Sequence, residues 1–415
     1  MSNLAKIIFG ASLLWSGLVG SGCWAAGDPV TATTDELIKT WVIEPTNSVA
    51  AVGTAGCRSR LNLARQARAE TNTAECVKLL ISILDTTASE QYKRVALLEL
   101  AATAEQEKQF ARALQILAQY VRRYPDDPSM PAVLLHQGLI CRQMGAHQMA
   151  LAKFYAVMTT ALNLKLERFQ QYQRLVLQAQ IEIAETDDLR GNYLEAADCY
   201  KRLLTQETAG LNKAVIQFKL IRCLSRIDRD DEVVAQAEDF LTRYPEDEQQ
   251  PEARFLLISA LKHLQRKPEA LKQVLLLLET EQASAAQQPE RWLYWQERAG
   301  NDVANELYLE GDYVNALEIY QRLSELGQSP TWKRQALYQV GLTYERLQQP
   351  QKAIQIYDQI AALNDEPNAR VPAGVQTVLD MAKWRKEYLL WLSQAEQARQ
   401  SINQFRPPAN SPVIR

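Results

Sequence analysis

The side chains best suited to acid–base or metal chemistry in this chain are three histidines, His136, His147 and His263. None stands in the His-Glu-x-x-His spacing that sets two imidazoles on one helix face, and none neighbours a cysteine pair that would complete a tetrahedral zinc set. The cysteines, Cys23, Cys57, Cys76, Cys141, Cys199 and Cys223, contain no Cys-x-x-Cys. Beyond the first 26 residues there is no phosphate loop, no Gly-x-Gly-x-x-Gly and no Gly-x-Ser-x-Gly. The carboxylate pairs Asp187-Asp188 and Asp230-Asp231 fall at expected turns, where solvated charge is the ordinary state. The expectation is a protein with no catalytic, metal or cofactor site, in which aromatic and charged side chains work by contact.

Those side chains are carried by helices. Apolar residues recur at three- and four-residue intervals, as in Leu256, Leu257, Leu261 and Leu264. A small residue followed four places on by a large one recurs in Ala113-x3-Leu117, Ala150-x3-Phe154, Ala196-x3-Tyr200, Ala270-x3-Val274, Ala316-x3-Tyr320 and Ala353-x3-Tyr357, with degenerate copies at Cys76 and Val233. These eight positions are spaced by 37, 37, 46, 37, 37, 46 and 37 residues, so each maps onto another 120 residues away. Tyr124-Pro125-Asp126 maps onto Tyr244-Pro245-Glu246, and Gly191-Asn192-Tyr193 onto Gly311-Asp312-Tyr313. The spacing predicts a three-hairpin unit that was duplicated in tandem, with a partial copy in front. The extra nine residues before Ala196 and before Ala316 predict about one more turn on each of two neighbouring helices, roughly 13 Å in all. The second lengthened segment, Gln282–Gln296, holds Trp292, Tyr294 and Trp295, and Trp292 corresponds to Tyr172. Either these rings pack the long helices together or they form an exposed contact patch.

Within 334–367, Leu337-x2-Val340-Gly341-x2-Tyr344, Ala353-x3-Tyr357-x2-Ile360 and Pro367 resemble the tetratricopeptide repeat. Gly341 and Ala353 then fall where the two helices of a hairpin cross. The resemblance implies an all-α, right-handed superhelical solenoid of about eight hairpins, with a C-terminal capping helix and a concave groove lined by first helices. It further implies a protein or peptide segment as ligand. Carried over place by place, the groove candidates are Phe218, Arg222, Phe255, Lys262, Asn305, Tyr338 and Glu345. Phe218, Phe255 and Tyr338 are expected as apolar anchors, with Arg222, Lys262 and Glu345 setting polarity. The paired Lys and Asn with which chaperone-adaptor members hold a carboxylate are not reproduced, since Asn305 is preceded by Asn301.

Organisation follows from the same reading: a leader over 1–26, an irregular segment over 27–56, the repeat array over 57–367, a capping helix over 368–405 and a flexible tail over 406–415. In the leader, Lys6 precedes the short apolar run Ile7–Gly20 and then Ser-Gly-Cys-Trp-Ala-Ala, the order of a secretory signal. Export to the periplasm or to the periplasmic face of the outer membrane is expected, with soluble release after Ala25 or Ala26 competing with a lipid anchor at Cys23. The Tyr-Pro-acid turns resemble those of envelope scaffolds. A balance of 46 basic against 49 acidic residues, net −3, argues against nucleic acid as a partner. The alternative is a glycan-binding outer-membrane lipoprotein using exposed Trp and Tyr. A third reading, an α/α-barrel enzyme, lacks an acid/base pair.

Overall fold

A computed structural model of the protein describes residues 54–86, 90–162, 169–206, 211–279, 288–326, 330–363 and 373–404. The leader, its Cys23 and the tail lie outside the described residues, as does nearly all of the 27–56 segment. Every regular element among the described residues is an α-helix. In chain order these are α1 (Thr54–Ala69), α2 (Thr73–Leu84), α3 (Glu90–Gln106), α4 (Phe110–Arg123), α5 (Met130–Gln143), α6 (His147–Leu162) and α7 (Phe169–Leu189). They continue with α8 (Tyr193–Leu204), α9 (Lys213–Arg226), α10 (Asp230–Arg243), α11 (Gln250–His263), α12 (Lys267–Leu278), α13 (Pro289–Glu310), α14 (Tyr313–Glu325), α15 (Pro330–Arg346), α16 (Pro350–Ala362) and α17 (Ala373–Gln404).

The chain divides into two compact units, 1–190 and 191–415. In the first, α1 pairs with α2, α3 with α4 and α5 with α6, and α7 packs on α6. In the second, α9 pairs with α10, α11 with α12, α13 with α14 and α15 with α16, α8 packs on α9, and α17 lies against α15 and α16. None of the described helices is long and apolar enough to cross a membrane.

The turns inside the repeats explain why the helices stop where they do. One residue in each turn is left-handed: Thr71, Lys108, Gly145, Gly191, Asp228, Gln265, Gly311 and Gln348. Their spacing is again 37, 37, 46, 37, 37, 46 and 37, identical to that of the helix starts that follow them. The next residue's amide donates back over the turn to a carbonyl five residues earlier, as in Asn72 to Ala67 (2.8 Å), Arg266 to Leu261 (2.8 Å) and Asp312 to Leu307 (2.9 Å). That bond satisfies a carbonyl the helix would otherwise leave orphaned. The Asn72, Asn212 and Asp312 side chains then accept a backbone amide of the helix that starts beside them.

The small residues sit at the crossings. Cys76, Ala113, Ala150, Ala196, Val233, Ala270, Ala316 and Ala353 are all buried. A Cβ on Gly341 would come within 2.5 Å of the Tyr357 ring, and one on Gly138 within 2.3 Å of Phe154. The lengthening before Ala316 falls on the first helix: α13 has 22 residues against 14 for α11, while α12 keeps 12. The expected equal share between two helices is therefore corrected for the second unit. In the first unit α6 has 16 residues and α7 has 21.

Candidate functional site

First helices of successive hairpins touch directly, α9 with α11 and α11 with α13, so their side chains form one face of the second unit. Phe255 projects from α11 because it lies two residues from the core position Leu257, on the flank facing α13. There it meets Trp295, with ring centroids 4.9 Å apart, and Trp295 meets Tyr294 edge-on at the same distance. The Arg298 guanidinium lies 4.9 Å from the Phe255 centroid and 5.5 Å from that of Trp295, and donates to the Tyr294 hydroxyl at 2.9 Å. A cation over two aromatic faces is held by their quadrupoles while its remaining N–H groups stay available.

One turn before Phe255, Glu252 approaches Arg291 at 3.7 Å. Burial pushes its carboxyl above the ordinary carboxylate range, and Arg222, Arg291 and Arg298 pull it back only in part. Further along α11, Lys262 reaches Asp302 at 2.5 Å and Glu306 at 2.7 Å on α13. Burial alone would lower the Lys262 ammonium, but the two carboxylates outweigh it and raise it. The face thus runs from a guanidinium-rich end, through an aromatic centre, to an end where two carboxylates share one ammonium. At 1.5 Å per residue, Glu252 and Lys262 stand roughly 15 Å apart. In the first unit the position 120 residues before Lys262 makes the same bridge: Arg142 on α5 reaches Glu182 on α7 at 2.6 Å.

Residues 95–127 and 335–365 match the tetratricopeptide repeat family. The chain carries tetratricopeptide repeats. A search of curated proteins found no match. Among solved structures, the chain is similar to a tetratricopeptide repeat protein of Parabacteroides merdae, at 11% identity over 70% of this chain and 98% of that one, with a TM-score of 0.39. It is similar to the apo quorum sensor NprR of B. thuringiensis at 12% identity over 76% and 89%, TM-score 0.38. BtubC of P. vanneervenii follows at 19% identity over 55% and 96%, TM-score 0.35.

Of the residues expected to line the groove of these repeats, Phe255, Lys262 and Arg222 keep some accessibility on the first-helix face. Phe218 does not: it is 1% exposed and packs on Phe240 at 6.0 Å, within its own hairpin. It is a core ring rather than an anchor. Tyr338 and Glu345 are corrected for a different reason. The capping helix α17 lies on α15, where its Arg385 pairs with Glu345 at 2.6 Å, and Tyr338 is buried beside Tyr357. Asn305 is exposed but already accepts the Tyr320 hydroxyl at 2.6 Å, so its oxygen tethers the second helix of its own hairpin. In the ridge patch, Trp292 is 2% exposed and belongs to the core between α12 and α14, whereas Tyr294 and Trp295 face outward.

The structure therefore joins part of the expected groove to part of the expected ridge. Sequence reasoning missed Arg298, Glu252 and Arg291. Arg298 was findable as the residue one turn after Tyr294 on the same helix face. His136 is buried against Glu105 at 3.1 Å, and His263 lies 3.3 Å from Asp230. No cluster of three or more His, Cys, Asp or Glu suited to a metal occurs among the described residues.

Proposed function

We propose that the protein is a non-enzymatic scaffold that holds an extended protein segment on the first-helix face of its second unit. The observation that carries this reading is the partly open Phe255–Trp295–Tyr294 cluster under the Arg298 guanidinium. Aromatic rings and arginines dominate binding energy at protein interfaces when grouped in this way. The charge order along α11 fits a segment that presents a carboxylate near Arg222, Arg291 and Arg298, an apolar side chain at the rings, and a basic group toward Asp302 and Glu306. A pyranose needs a free flat ring face, and Trp295 already packs on Phe255 and beneath Arg298, so the glycan reading has less support.

The leader order supports placing the scaffold in the bacterial envelope, with an envelope protein as partner and no cofactor. Intact mass of the cellular protein separates an N-terminus at Ala26 or Gly27 from an acylated Cys23, and an unprocessed Met1 form would end the export reading. For the site, a photo-crosslinking amino acid replacing Tyr294 should trap a discrete partner in intact cells. Phe255→Ala with Trp295→Ala should abolish that trapping while helical content is kept. Unchanged trapping by a folded double variant refutes the site.

A further inference from the structure

The capping helix α17 is 32 residues long, about 48 Å, against 13 residues for α16, on which it packs. Its buried residues are Val375, Ala382 and Leu389, spaced by seven, and none follows among the side chains described up to Ser401. Residues 390–401 therefore run on as a helix that its own hairpins do not bury. A helix of that length is marginal in water without a partner.

A second stripe lies on the other side of α17. Met381, Trp384, Tyr388, Trp391, Ala395 and Ala398 are spaced by three, four, three, four and three, the a and d places of a heptad. Trp384 is 61% exposed, Tyr388 43% and Trp391 60%. The rings are ordered against one another: Trp384 and Tyr388 lie 5.6 Å apart with planes 4° from parallel, and Tyr388 and Trp391 lie 6.2 Å apart at 24°.

Residue size along the stripe says what fits it. The half nearer the repeats is bulky and the half that runs free is small. A parallel copy would set Trp391 against Trp391 and Ala395 against Ala395, overfilling one layer and emptying the next. A reversed copy sets Trp391 against Ala395 and Tyr388 against Ala398, large into small at each step. We propose that α17 is a self-association helix, pairing antiparallel with α17 of a second copy about a two-fold axis near Ser393. Leu392, 39% exposed, then meets its own equivalent across the axis. The neighbouring charges do not oppose this, since Arg385 is paired with Glu345 and Arg399 with Glu396. With roughly 100–150 Å² offered by each of Trp384, Tyr388, Trp391 and Leu392, a pair covers on the order of 1,000 Å². That is the lower edge for a specific interface, the size class of weak and reversible association.

Sedimentation equilibrium of the purified protein from about 1 to about 100 μM should show monomer passing to dimer. Trp391→Ala and, separately, Ala395→Glu should each weaken association at least about tenfold with unchanged circular dichroism, because both positions are exposed in the monomer. In a Cys199→Ser background, Leu392→Cys should cross-link to itself under mild oxidation and Met381→Cys should not. A protein monomeric throughout overturns the proposal and passes the stripe to a foreign helix or a glycan. A dimer that persists in both folded variants overturns it as well, and self-linking through Met381→Cys overturns the reversed arrangement.

Discussion

Gly341→Ala adds one methyl group where two helices cross, and two effects of opposite sign compete. Within a helix, alanine is favoured over glycine by about 1 kcal/mol. Against that, the new Cβ would stand 2.5, 2.9 and 3.1 Å from three carbons of the Tyr357 ring. The ring cannot swing away cheaply. It is 1% exposed, and its hydroxyl donates to Glu345, which Arg385 holds from the other side. Overpacking of this kind costs about 1–3 kcal/mol, and a tethered ring belongs in the upper half of that range. The net expectation is destabilisation by about 1–2 kcal/mol. Gly374→Ala is the internal control: it is helical, nothing lies within 4 Å of its Cβ, and it should be neutral or stabilising. Repeat arrays open in parts, so amide hydrogen exchange in α15 and α16 should accompany urea unfolding. Tyr357→Leu should make room and leave the double variant less destabilised than the two single changes added together. A Gly341→Ala protein as stable as the parent would refute the close crossing and the repeat register built on it.

Gln348 is left-handed at φ 58°, so Gln348→Gly should gain up to about 1 kcal/mol, whereas Gln355→Gly at an exposed place on α16 should lose about as much; urea midpoints of the two variants check the signs. Burial raises the Glu297 carboxyl to about 7, so between its usual range near 4.5 and about 7 the folded protein holds a proton that the unfolded chain has released, and stability falls as pH rises through that window. Glu297→Gln should flatten that fall and stabilise at pH 8 by near 1 kcal/mol after solvent screening of a partly exposed group, read from thermal melts across pH. Among the described cysteines, Cys199 should react first with a thiol reagent in the native protein, because Cys57, Cys76, Cys141 and Cys223 are buried and burial raises the Cys76 and Cys141 thiols. Mass mapping of the labelled site checks it.

The crossings were legible because size restriction leaves a mark: only a small residue fits at Ala316 or Ala353, and eight such marks share one period. Exposure was not legible. Phe218 and Phe255 are 37 residues apart and indistinguishable in pattern, yet Phe218 closes on Phe240 while Phe255 turns to Trp295 on the lengthened helix. Position within a repeat fixes which helix a side chain leaves, but the neighbouring repeat decides whether anything covers it. Tyr338 and Glu345 carry the same lesson. A helix over 368–405 was expected to cap the array, but Met381, Trp384 and Trp391 face away from the hairpins, and its landing place on α15 depends on Arg385 finding Glu345, a pairing across 40 residues with no local signature.

The long helix α13 also has a mechanical consequence. A stack of equal hairpins behaves as a spring, each coil free to open slightly against the next. The extra length of α13 interrupts that uniformity, because Trp292 is sunk in the core and the Gln296 amide donates to the Leu277 carbonyl of the preceding hairpin at 2.8 Å. The junction between α11 and α13 is thereby held by a side-chain hydrogen bond as well as by packing. Trp332 on α15 makes the matching bond to the Leu323 carbonyl at 3.1 Å, so both junctions of α13 are tied, and the aromatic cluster rides on one of them. A ligand docking there meets rings already at their working distance and spends little of its binding energy on holding them still.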